Sequence, residues 1–233
     1  MQTTAAIGNK EFLQRTKQRT TLLLWLEWTG FFILLPFVLR IWWHPQIVFA
    51  TLFFATIGVA IWLLRNRNFN RKLLWLGRHV RGEWNQLKRI LLRFIICGAL
   101  IAALVLFVFP GNFLDMPREN PVVWAIVMIF YPLLSVYPQE LIYRTFFFER
   151  YRSLFRSKIA TVFASAIGFG LIHIIFQNPL AVILTLIGGV FFAETYARTR
   201  SLRLVWFEHA LYGCLIFTIG LGEFFYHARV PIQ

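Results

Sequence analysis

Long apolar runs set apart by clusters of arginine and lysine constrain this chain more than any other feature. A membrane-spanning helix needs roughly 20 mostly apolar residues. Seven stretches qualify: Leu22–Leu39, Ile47–Leu64, Ile90–Phe109, Val122–Phe147, Ile159–Phe176, Leu180–Tyr196 and Leu204–Phe225. The basic residues test that count. With the N-terminus inside, 20 of the 24 Lys and Arg fall on inner segments and Arg40, Arg118 and Arg229 on outer ones. The remaining one, Arg144, lies within an apolar run. Cytoplasmic loops carry such an excess, so the spacing predicts an all-α polytopic bundle of about seven spans, with the N-terminus cytoplasmic and the C-terminus outside. An eighth, re-entrant segment is compatible with the same pattern.

Composition agrees. The 233 residues are 58% hydrophobic, above the usual share for soluble domains. The net charge of +14 would suit nucleic acid if it formed one soluble face. Here it is divided among the connections, which argues for a membrane surface and against a nucleic-acid partner. Cys97 and Cys214 lie in apolar runs and read as small core residues, not as a disulfide framework. The polar first twenty residues are not those of a cleavable signal peptide.

The organisation expected is one structural unit with two parts. Residues 1–110 hold three spans and a basic cytoplasmic loop, 65–93. Residues 121–226 hold the other four. The loop mixes Leu73, Leu74, Trp75, Leu76, Trp84 and Leu87 with its cations, which predicts an interfacial helix on an anionic leaflet. Pro110–Pro121 reads as an outer loop. Pro132 and Pro138 are expected to kink the fourth span just before Gln139. Gly168, Gly170, Gly188 and Gly189 permit close helix approach.

Ionisable residues at membrane depth are costly and mark a site or a tight pair. Glu140 and Arg144 stand four apart with the acid first, the favourable order for an ion pair on one helical face. His173 and His209 lie in later spans. Taken singly, the pair reads as well as a buried ion pair, and each histidine as a satisfied core residue. His209 on that reading would bond Glu194 or Glu208, and Glu27 has no obvious partner. Counting along the helices puts Glu140 and His209 about 10 and 9 Å from the inner ends of their spans, but His173 about 21 Å from its own. There is no HExxH, GxSxG or GxxxxGK[ST] pattern.

Three segments together resemble the CAAX-protease and bacteriocin-processing (Abi) family. Gln139-Glu140-Leu141-Ile142-Tyr143-Arg144 corresponds to Glu-Glu-x-x-x-Arg, Phe169 to His173 meets Phe-x-x-x-His in full, and His209 to Gly213 corresponds to His-x-x-x-Asn. The likeness covers roughly Val122 to Phe217. It implies a glutamic-type intramembrane endopeptidase, in bacteria a plasma-membrane protein, acting on a lipidated or membrane-associated peptide. The family's first Glu and the histidine of its second motif activate water. The histidine and asparagine of its third motif stabilise the oxyanion. Carried onto this chain, Glu140 and His173 would activate water, His209 would support the oxyanion, and Arg144 would hold Glu140.

Two positions depart from the pattern. Gln139 stands where the first Glu is expected, and an amide orients water without taking its proton. Gly213 stands where the asparagine is expected and offers no donor; Tyr212 or a water would have to replace it. A catalytically impaired binding or immunity protein of the same fold is therefore the alternative. A second alternative is a hydrolase with Glu140, His173 and His209 as zinc ligands; the resemblance itself implies no cofactor. A transporter is disfavoured by the lack of internal repeats.

Overall fold

The computed structural model describes residues 18–42, 44–74, 82–155 and 157–225. They form a helical bundle, with no strand among the described residues. Seven helices carry it: α1 Gln18–Ile41, α2 Pro45–Arg65, α3 Glu83–Val108, α4 Pro121–Arg150, α5 Lys158–Phe176, α6 Pro179–Thr199 and α7 Leu202–Thr218. The first six are long and apolar enough to cross a membrane. This is the architecture of an integral membrane protein, and the apolar runs match the helices one for one.

The seventh helix is shorter than its apolar run. It has 17 residues, about 25 Å of rise, and stops at Thr218 rather than Phe225. Gly220 explains the stop. Its φ is +97°, and a Cβ there would come within 1.8 Å of the Asn112 carbonyl oxygen. Only glycine can turn so tightly against another backbone. The chain then makes a short 3₁₀ turn, Gly222–Phe225.

The 65–93 segment is described only in part, so the expected interfacial helix falls largely outside the described residues. After a three-residue 3₁₀ turn, Arg71–Leu73, residues 75–81 lie outside the described part, and α3 begins at Glu83. Trp84 and Leu87 thus belong to the first turns of α3, and no separate interfacial helix occurs among the described residues. Arg93, counted as the end of a loop, lies on α3 itself.

The connections among α5, α6 and α7 are short and capped. Ser157, Asn178 and Ser201 each accept a hydrogen bond from the backbone N–H three residues on. That satisfies donors a helix start would leave bare. α5 and α6 pack tightly because glycines face the contact. A Cβ at Gly170 would meet Leu186 at 2.4 Å, and one at Gly189 would meet the Ala166 backbone at 3.1 Å. In α1, Phe32 packs on Gly168 and makes edge contacts with Tyr143 and Phe147.

Polar clasps join α1 and α3 to the rest, among them Arg203 of α7 with Glu83 of α3. Glu27 of α1 accepts from Arg150 at the end of α4, at 3.0 and 2.6 Å, and from the Tyr151 hydroxyl at 2.9 Å. Arg93 of α3 reaches across to α6 and α7. It pairs with Glu208, with Glu194 at 3.0 Å and with Thr195 Oγ1 at 3.0 Å.

Candidate active site

α4 is irregular where its polar residues lie. Pro132–Val136 and Leu141–Phe146 are π-helical and bracket the α-helical residues Tyr137–Glu140. The first wide turn starts at a proline, which supplies no backbone N–H. Wide turns of this kind are rare and concentrate at functional sites. Trp206 of α7 donates its indole N–H to the Pro132 carbonyl at 2.7 Å, fixing α7 against the first wide turn.

Glu140 is fully buried. One carboxylate oxygen lies 3.2 Å from Arg144 Nε and the other 2.8 Å from His209 Nδ1. It makes no hydrogen bond to His173. Gln139, one residue earlier, points elsewhere: its amide donates to Ser135 Oγ at 2.7 Å. Its carbonyl oxygen is buried without a partner. That is unspent accepting capacity beside the buried carboxylate.

Arg144 is also fully buried and binds three helices together. Beyond its ion pair with Glu140 it donates hydrogen bonds to Ser165 Oγ of α5 at 3.0 Å, to its own neighbour's carbonyl, Tyr143, at 3.2 Å, and to Gly189 O of α6 at 3.5 Å. Its guanidinium lies 4.9 Å from the Phe169 ring centre. A planar fork of five donors suits such a junction, and lysine would not.

His209 stands between two side chains of α4. Nδ1 faces Glu140, and Nε2 lies 3.3 Å from the Tyr131 hydroxyl. Phe192 of α6 stacks on the imidazole at 4.6 Å and 18°. A carboxylate at Nδ1 fixes ring orientation and leaves the Nε2 side facing outward from the pair. Neither Glu194 nor Glu208 is its partner. Tyr131 fits there because residue 213 is glycine. A Cβ on Gly213 would lie 2.2 Å from Tyr131 Cε1 and 2.4 Å from its hydroxyl oxygen. The phenol therefore fills the space a side chain at 213 would take. Tyr212 faces away from this contact, packing on Phe94 at 5.3 Å and Phe192 at 6.0 Å, with its hydroxyl unpartnered.

His173 opens the 3₁₀ turn that ends α5, and it is buried. Its Nδ1 lies 2.7 Å from the Phe169 carbonyl. A carbonyl only accepts, so the hydrogen sits on Nδ1 and Nε2 of the neutral ring carries a lone pair. Its depth relative to the other two residues is resolved by an intermediary. The Phe169 ring is in edge contact with both His173, at 4.9 Å, and His209, at 5.3 Å. The structure thus joins Glu140, Arg144 and His209 directly and links His173 to them through Phe169.

Among the described residues, no three His, Cys, Asp or Glu side chains are grouped as a metal ion would require. Glu140 and His209 are hydrogen bonded to each other. Several contributors went unnoticed in the sequence: Tyr131, Ser135, Ser165 and Phe192. Only Tyr131 had a signal, the volume missing at Gly213. Ser135 joins through Gln139 one turn on, and Ser165 and Phe192 through contacts between distant segments.

Residues 120–215 match the family model described as type II CAAX prenyl endopeptidase Rce1-like. The match bears out the resemblance read from the three motifs and contains every site residue described above. No curated protein matches the chain, and no solved structure does.

Proposed function

We propose, with the family match over α4–α7 as the premise, that this chain is an intramembrane endopeptidase that hydrolyses a peptide bond in a lipidated or membrane-associated protein. The observation that carries this reading is the buried Glu140–His209 contact at 2.8 Å, held by Arg144, inside the matched segment. Such an assembly is costly to build in a membrane and gives an imidazole a fixed orientation.

In this reading His173 Nε2 takes a proton from the attacking water, and the unpaired Gln139 oxygen accepts that water's other hydrogen. Both roles use capacity that the protein leaves unspent. Glu140 orients His209, and the His209 side of the site meets the carbonyl oxygen. A base in a water-poor cavity and donors aimed at developing charge are each worth orders of magnitude in rate. No metal or other cofactor enters the scheme, and the partners are membrane lipid and the peptide, not nucleic acid. The basic inner segments support a cytoplasmic N-terminus, and a bacterial plasma membrane is the location this reading carries with it.

The test is cleavage of a peptide bearing an isoprenylated cysteine followed by three residues, by purified protein in detergent. We expect turnover that survives chelator, and its loss in His173→Ala. Restoration by zinc after chelation would favour the metal-bound alternative. Gln139→Glu should raise the rate about 10²-fold by adding a second base. A specific observation favours a second reading, a binding protein of the same fold: an amide, not a carboxylate, stands at 139. That reading gains if the wild type binds the peptide without cutting it while Gln139→Glu cuts it.

A further inference from the structure

The Glu140–His209 contact raises a question of hydrogen supply. Glu140 and Arg144 already cancel in charge, so a neutral His209 keeps the buried site balanced. Glu140 as a carboxylate only accepts, so the imidazole hydrogen lies on Nδ1, toward it. A neutral ring has no second N–H. On the Nε2 side, the available hydrogen belongs to the Tyr131 hydroxyl, 3.3 Å away.

We propose that Tyr131 is a catalytic residue whose hydroxyl turns from His209 Nε2 to the substrate's carbonyl oxygen as that oxygen becomes negative. This rests on the endopeptidase reading and names its oxyanion donor. Three features support it. The hydroxyl lies against the flat face of Gly213, where a Cβ would collide with it. Phe217 holds the ring in edge contact at 5.2 Å, so the phenol is positioned before substrate arrives. Tyr212, also on α7, makes no hydrogen bond to His209 and packs on Phe94 and Phe192. No proton changes owner in the motion: the O–H bond rotates from one acceptor to another. His209 is then a positioning residue, holding the hydroxyl ready and acting through it.

The experiment uses the same isoprenylated peptide and the full-length protein. Tyr131→Phe keeps the ring and its packing. It should lower kcat by about 10²–10³-fold while KM moves less than about threefold. Tyr131→Ala should be as slow, and Tyr131→Ala combined with Gly213→Asn should recover at least about tenfold by placing an amide donor in the vacated space. Retention of kcat within threefold in Tyr131→Phe overturns the assignment. His173→Ala measured alongside separates the two claims. If it abolishes turnover while Tyr131→Phe does not, Tyr131 is not the donor and the endopeptidase reading stands. If the wild type itself never cleaves, both fall.

Discussion

Two buried glutamates on this scaffold each face an arginine, and they differ in what lies beyond. Glu208 of α7 gives one oxygen to Arg93 and the other to the Thr195 hydroxyl at 2.6 Å. Arg93 continues to Glu194, which also holds Arg198. Its carboxylate oxygens both end on donors from neighbouring helices, and the result is a clasp between α3, α6 and α7. Glu140 gives one oxygen to Arg144 and the other to an imidazole, whose far nitrogen meets a phenol. The second chain leads to groups that can change partners. A buried acid marks a site when its network ends in such a group. When both oxygens of the acid end on fixed donors, the same chemistry is mortar.

That contrast predicts different failures. The largest effect should come from Glu208→Ala, which takes from Arg93 its fully buried carboxylate and leaves it Glu194 and Thr195. About 3 kcal/mol of stability should be lost, the low end of the cost of breaking a buried pair, read as a lowered unfolding midpoint in detergent; an unchanged midpoint would remove the clasp. His173→Ala should do the converse, slowing cleavage by about 10²–10⁴-fold with a smaller fall in midpoint than Glu208→Ala. A third variant tests both at once. Gly213→Ala puts a methyl where the Tyr131 ring sits, and overpacking of this kind costs about 1–3 kcal/mol. Turnover should fall with it, because the phenol must move. The smallest effect belongs to Glu27→Gln. Its pairing with Arg150 is partly exposed, with side chains 25% and 33% accessible. Exposed pairs contribute about 0–1 kcal/mol, so a midpoint shift of only a degree or two is expected and cleavage should be unaffected.

The helices were legible because apolar length and the distribution of cations are local properties of the chain. The boundaries failed where a distant segment intervened. α7 ends early because Gly220 turns against Asn112, more than a hundred residues before it. α3 starts at Glu83, earlier than its apolar run, and Arg93, counted among the loop cations, is carried within it by Glu194 and Glu208 of other helices. In the site, the three motifs identified Glu140, His173 and His209, but not which meets which. Glu140 bonds His209, an outcome set by the register of α4 against α7. The wide turns that set that register leave no trace in composition beyond Pro132. Tyr131 was readable only as a shortage, the side chain absent at 213.

Phe169 carries one more consequence. Its ring touches both imidazoles, and neither hydrogen-bonds the other. Under the proposed scheme it works as insulation. A proton captured at His173 has no hydrogen-bonded path across the ring to His209, so its way out is the departing amine of the cut peptide. An oily ring between two bases would thus set the direction in which the reaction runs.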